Sequence, residues 1–309
     1  MGRLRSTDEL NRAGFDASEL RRLTRDGRLE RVRRGVYAEP EPTADPAAAH
    51  RRLVAATVPH CGQDVVVSHV SAAVLHGLPV QPERLTQVHV TRDQAGGGRS
   101  RGGLHVHGLD LGEKEVVRIG GMPVTTVART VLDLACTLPL NEAVAAGDAA
   151  LRTGCSARSI HDALDRVGRR AGIRAARRAV SLLDGRSESP AESWSRVLLA
   201  EHGVPAPVPQ LEVFDGLGEL VGRADFGWPE QRTLGEFDGK VKYGRTLHAG
   251  GDLEEVLWYE KQREDALRAC GWEVVRWVWA DLWQPEAWLE RLARAFARGS
   301  ATRHVLAAG

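Results

Sequence analysis

The sequence predicts an α/β chain, an α+β multidomain protein: a small helical head with a hairpin, a mixed α/β middle, and a C-terminal α/β unit with a mixed sheet. Three observations point that way. At 309 residues the chain is too long for one ordinary core. All eight Trp fall between Trp194 and Trp288, so the last third has its own core chemistry. Charge is also uneven beneath a net +1. Residues 1–37 hold ten Arg against six Asp or Glu, residues 151–186 nine Arg against three Asp, and residues 187–299 thirteen Lys or Arg against twenty Asp or Glu. Local balances of +4, +6 and −7 suit a protein that touches phosphates with its basic parts and holds a cation with its acidic one. Solvated surfaces of unequal sign would give the same numbers. Gly185 to Pro190 reads as a linker, so the expected domains are 1–45, 46–186 and 187–299, with 300–309 as a tail.

Some classes are excluded at the outset. No run of about 18 apolar residues exists to span a bilayer, and the N-terminus starts polar and basic without an apolar stretch for secretion. A cytoplasmic protein is expected. Cys61, Cys136, Cys155 and Cys270 lie far apart with no CxxC, which indicates neither a zinc site nor a disulfide framework.

In the head, Ser6 and Glu9 form a capping box and Gly14 a stop; Asp16 and Glu19 then repeat the box, opening a helix that halts at Gly27. Two short strands from Leu29 to Tyr37 follow, around an Arg-Arg-Gly turn. Helix, helix, basic hairpin is the order of a winged helix. Arg21, Arg22 and Arg25 sit on the second helix, the one that enters the major groove in such modules, and Arg31, Arg33 and Arg34 cluster on the wing. An Arg-rich surface, or a winged helix used for protein contacts, is the alternative.

The middle alternates strands and helices: Val65 to Val67, a helix near Ser71 to Leu75, strands at Val88 to Val90 and Leu104 to His107, and a helix from Thr126 to Cys136. Further helices are expected at Leu140 to Arg152, Ala157 to Arg166 and Ile173 to Leu183. The Gly96 to Gly103 run lacks a Walker Gly-Lys-Ser/Thr and reads as a hairpin tip. His69 with His76, and His105 with His107, lack a completing ligand at zinc-like spacing and are expected to be structural.

Leu20 to Tyr37, with Gly27-Arg28-Leu29 and Arg33-Arg34-Gly35-Val36-Tyr37, resembles the winged helix of AbiEi-type antitoxins of type IV toxin-antitoxin systems. Ser68 to Ala73, His76 to Pro79, Pro123 to Thr126 and Arg129 to Ala135 resemble the segment after it. The likeness spans roughly residues 4–150 and implies a repressor that binds DNA. It leaves open a cognate toxin and a homodimer.

The tail reads as a helix from Ser189 to about His202, a meander of Val208 to Phe214, Leu220 to Trp228 and Thr233 to Asp238, a helix from Leu253 to Cys270, a strand from Trp272 to Trp279 and a helix from Pro285 to Arg298. A turn centred on Glu230-Gln231 sets Asp225 opposite Glu236, with Cβ atoms about 4.5–5.5 Å apart. Asp238 projects from the same face. Like charges that close repel unless a cation or proton intervenes, and oxygen-only donors suit Mg²⁺ or Mn²⁺. Exposed acids on a solvated face are the bland reading.

Arg223 to Phe226, Gly235 to Gly239 with Lys242-Tyr243, Glu260 to Leu267 and Gly271 to Trp277 resemble the PD-(D/E)XK nuclease superfamily, in particular the branch of very-short-patch-repair endonucleases. The likeness spans about 188–284. It implies a Mg²⁺-dependent endodeoxyribonuclease with Asp225 and Glu236 as metal ligands and Glu192 assisting. Asp238 stands where the superfamily has its lysine, so Lys240, Lys242 or Lys261 would have to supply that charge. Glu192 is equally explained by a capping box with Ser189. A repressor with an inactive nuclease fold, or a modification-dependent defence effector, are the competing readings.

Overall fold

The computed structural model describes residues 3–41, 45–62, 64–92, 98–239 and 253–307. The chain divides into two compact units, residues 1–138 with 154–180, and residues 139–153 with 181–309. Residues 139–153, placed by sequence in the middle domain, thus pack with the C-terminal one.

The first unit opens with β1 (Arg5–Ser6), α1 (Thr7–Arg12), α2 (Ala17–Arg25), β2 (Glu30–Arg33) and β3 (Val36–Ala38). Ser6 and Glu9 make the expected capping box. The second box forms by half: Asp16 accepts from the N–H groups of Ser18 and Glu19, while the Glu19 carboxylate turns to Arg22. Gly35, at φ +84°, makes the hairpin turn in the left-handed region where a side chain is strained. β3 lies between β1 and β2, and Leu10, Leu20, Val36 and Ala38 are buried. Helices and hairpin follow one another in winged-helix order.

Next comes α3 (Pro46–Thr57), which the sequence reading lacks although Asp45 caps it and Pro46 occupies its first turn. Arg52 ties it to the hairpin, meeting Glu30 at 3.0 Å and donating to the Glu39 carbonyl. A six-stranded sheet follows, made of β4 (Val65–Val67), β5 (Val88–Arg92), β6 (Arg99–Arg101), β7 (Leu104–Gly108), β8 (Val116–Ile119) and β9 (Met122–Thr125), in the order β6-β7-β5-β4-β9-β8. α4 (His69–Leu75) and α5 (Val127–Thr137) accompany it. β6 occupies part of the expected hairpin tip, leaving Gly102 and Gly103 as the turn. Val54, Val65, Val67, Val88, Val90 and Val124 form the core. After α6 (Leu140–Arg152), which belongs to the second unit, α7 (Ala157–Arg166) and α8 (Ile173–Ser181) complete the first.

The second unit continues with α9 (Pro190–Glu201), β10 (Val208–Phe214), β11 (Leu220–Trp228), β12 (Thr233–Phe237), α10 (Leu253–Ala269), β13 (Glu273–Trp277), α11 (Trp279–Trp283) and α12 (Pro285–Ala307). Its sheet runs β10-β11-β12-β13, antiparallel except for the parallel β12–β13 pair, as α10 crosses between those strands. Trp194, Phe226, Trp228, Trp277 and Trp288 pack together, whereas Leu234 packs with Leu267 of α10. Gly235 is required by this packing: a Cβ there would stand 2.6 Å from the Trp277 ring. The last strand stops at Trp277, two residues short of expectation, because the Asp281 carboxylate accepts from the Val278 N–H and starts α11. α12 runs on into the expected tail.

Candidate functional site

In the head, Arg21, Arg22 and Arg25 are exposed on α2, as are Arg31 and Arg34 on the hairpin. Arg21 and Arg25, four apart, share a helix face. Arg22 meets Glu19 at 3.2 Å yet stays 58% exposed. Arg33 differs: its guanidinium donates to the carbonyls of Ala56 and Thr57 at 3.4 and 3.3 Å, closing the end of α3. Five of the six sequence-proposed arginines therefore face solvent and the sixth serves the fold.

The carboxylates of the second unit lie as the turn arithmetic requires. β11 and β12 pair Trp228 with Thr233, Gly227 with Leu234 and Phe226 with Gly235, and the next pair in that register is Asp225 with Glu236. Asp225 accepts the Phe237 N–H at 2.8 Å. Leu234 shares the face of the acids while Phe237 packs on the opposite one, against Trp279. Burial pushes the Asp225 carboxyl up to about 6 against the Phe237 bond, with Glu192, Glu236 and Glu188 adding to the rise. Glu192 is buried and accepts from the Glu188 N–H and from Gln210, both at 2.9 Å. Ser189 caps the Glu192 N–H, so the box expected there is half made, its return bond shifted by one residue. Asp238 follows on, its N–H bonded to the Trp277 carbonyl.

Two arginines, present in the quoted motifs but given no role by the sequence reading, complete this centre. Arg263 of α10 meets one Glu236 oxygen at 2.9 Å, and Arg276 of β13 meets the other at 3.0 Å. Arg276 also lies 3.3 and 3.2 Å from Glu260 and Glu264. The donor chemistry suits Mg²⁺, but this arrangement does not fit it. Both Glu236 oxygens are taken, and among the described residues no group of three or more His, Cys, Asp or Glu is placed to hold a metal ion. Lys261 is exposed on α10; Lys240 and Lys242 lie outside the described residues.

A second polar cluster sits in the first unit. β5 and β7 pair in parallel, which sets His89 beside His105 and Thr91 beside His107. His69, at the start of α4, stacks on His107 with centroids 3.5 Å apart. His89 and His107 share a hydrogen bond of 3.0 Å between ring nitrogens, and Ser68 links the His69 ring to Thr91. His69 is 1% exposed, holds a left-handed φ of +50° and leaves Nε2 without a partner. Burial holds the imidazole of His69 well below its ordinary range and that of His89 down to about 4, with neighbouring imidazoles adding. His76 stands apart, bonded to the Thr125 carbonyl at 2.7 Å.

Residues 6–40, the helices and wing just described, match the family described as transcriptional regulator, AbiEi antitoxin. Over its length the chain belongs to the same family as the uncharacterized protein Rv2248 of Mycobacterium tuberculosis H37Rv and its counterpart MT2308 of strain CDC 1551. Each is 34% identical over 276 residues, covering 89% of this chain and 94% of the relative. The RV2827C protein of M. tuberculosis, a solved structure, shares 19% identity over 68% of this chain and 83% of its own, with a TM-score of 0.37. No helix among the described residues is long and apolar enough to cross a membrane.

Proposed function

We propose that the protein is a DNA-binding regulator of antitoxin type. The head docks α2 in the major groove and its wing arginines lie on the phosphates. The observation that carries this reading is the exposure of Arg21, Arg22, Arg25, Arg31 and Arg34 on adjoining elements of a segment that matches the AbiEi family. A cognate toxin and a second copy of the chain are the partners this reading calls for. Titration of the protein into labelled duplex from its own upstream region tests it; binding no tighter than to unrelated duplex would count against a regulator.

The facing pair Asp225 and Glu236, with Glu192 close by, favours a second activity for the C-terminal unit: hydrolysis of phosphodiesters as a nuclease. That reading calls for Mg²⁺ or Mn²⁺ at Asp225, Glu236 and Asp238, which the hold of two arginines on Glu236 now opposes. Incubation of plasmid and single-stranded DNA with either cation, beside Asp225→Ala, tests it. Cleavage by both proteins alike, or by neither, leaves the regulator alone.

A further inference from the structure

A second basic surface lies outside the head, on α8. Over residues 157–181 seven Arg stand against two Asp, with no Lys. Arg170 serves the fold: it meets the fully buried Asp133 at 2.9 Å. Two residues on, Gly172 turns at φ +80° so close to the Cys136 carbonyl that no Cβ would fit. Both contacts pin the start of α8 to α5. The helix then buries Ala176, Ala179 and Val180 and turns Arg174 and Arg177 outward, where both are exposed. Neither they nor Arg169, exposed in the turn before the helix, takes part in an ion pair among the described residues. This placement costs the helix. Arg174 and Arg177 are like charges one turn apart, no acid lies on α8 to offset them, and Arg174 occupies the first turn, where the helix dipole disfavours a cation.

We infer that α8 is a second phosphate-binding face, on which Arg169, Arg174 and Arg177 contact the backbone of duplex DNA and add grip without reading sequence. This rests on the regulator reading of the head and names a surface which that reading does not use. The row is arginine alone, whose planar fork suits an acceptor with two oxygens, phosphate or carboxylate. Two observations favour phosphate over an acidic protein. Protein interfaces are anchored by large apolar side chains, and none is exposed between residues 157 and 181. The same compact unit also carries the head, so a duplex held there presents its backbone to the unit's exposed cations at high local concentration. Because α8 is pinned at its start, little ordering of the backbone is needed when phosphate binds.

Fluorescence anisotropy of the full chain with two labelled duplexes, one from its own upstream region and one unrelated, over a range of salt, tests the inference. Arg174→Gln with Arg177→Gln should make the log–log slope shallower by about 1 per contact and weaken both duplexes alike, by about sixtyfold at about 0.1 M salt. Any preference for the upstream duplex should survive, since phosphate contacts carry no sequence. Arg174→Lys with Arg177→Lys, which keeps the charge, should keep the slope. Thermal unfolding should be unchanged in both variants, because the two side chains are exposed. A Gln variant with the wild-type slope on both duplexes would overturn the inference, and one that instead lost binding of a glutamate-rich peptide would give α8 to an acidic protein. A loss confined to the upstream duplex would also overturn it, since that is base reading. Equal binding of both duplexes by the wild type, with the slope change kept, would remove the regulator reading and support the α8 contact. Binding of neither at low salt would overturn both.

Discussion

The two units of the chain each gather titratable side chains on a sheet face, and they dispose of the charge in opposite ways. In the first unit, the rings of His69, His89 and His107 lie with centroids 3.5–6.1 Å apart, and burial favours the neutral ring in each of the three. In the second, Glu236 is met by arginines from a helix and a strand, one at each carboxylate oxygen. A charge-compensated cluster depends on its counter-charges staying in place.

Acidification should break the first cluster and gives the largest effect. The folded-state pKa of His89 is depressed to about 4 from an ordinary 6.5, so the unfolded chain takes up the proton first. Stability is full above about pH 6.5 and falls as pH drops through about 4, by about 3 kcal/mol from His89 alone. His69 acts in the same direction. Urea unfolding between pH 7 and 4, monitored on the first unit, should show this loss, and a midpoint flat with pH would show that the rings are hydrated.

Removing the firmly held arginine comes next. Arg276→Met leaves three carboxylates without their shared cation and should cost about 2–3 kcal/mol in chemical denaturation, less than a fully buried pair because the side chain is one-third exposed. Arg263→Met should cost about 1 kcal/mol or less. Equal losses would remove the asymmetry between the two. The imidazole pair falls between these two losses: His89→Phe leaves a His107 nitrogen unpaired and should cost about 1–2 kcal/mol, and adding His107→Phe should cost less than the sum of the singles.

Much of the second unit was legible because its signals are local. The Glu230-Gln231 turn fixes the β11–β12 register, and from it the facing of Asp225 and Glu236, by counting alone. Arg263 and Arg276 were not legible, since a parallel crossover brings them to Glu236 and no local spacing announces it. The histidines show the same divide. That His105 and His107 share a face follows from alternation, but the parallel β5–β7 pairing that adds His89, and the left-handed turn that adds His69, are long-range or strained. α3 differs, because its start is local: Asp45 caps the helix and Pro46 occupies its first turn. The eight Trp mark the second unit, yet α6 joins it from before α7 and α8, which no composition boundary reveals.

The salt dependence of DNA binding by the full chain tests the central claim, that the head grips DNA through its arginines, most directly. Fluorescence anisotropy with labelled duplex over a range of salt should give a log–log slope of about −0.9 per neutralised phosphate. In the Arg21→Ala, Arg22→Ala, Arg25→Ala triple variant, that slope should become shallower by about 1 for each contact removed, with thermal unfolding unchanged because all three side chains are exposed. Affinity indifferent to salt, or a triple variant that binds as wild type does, would contradict the account.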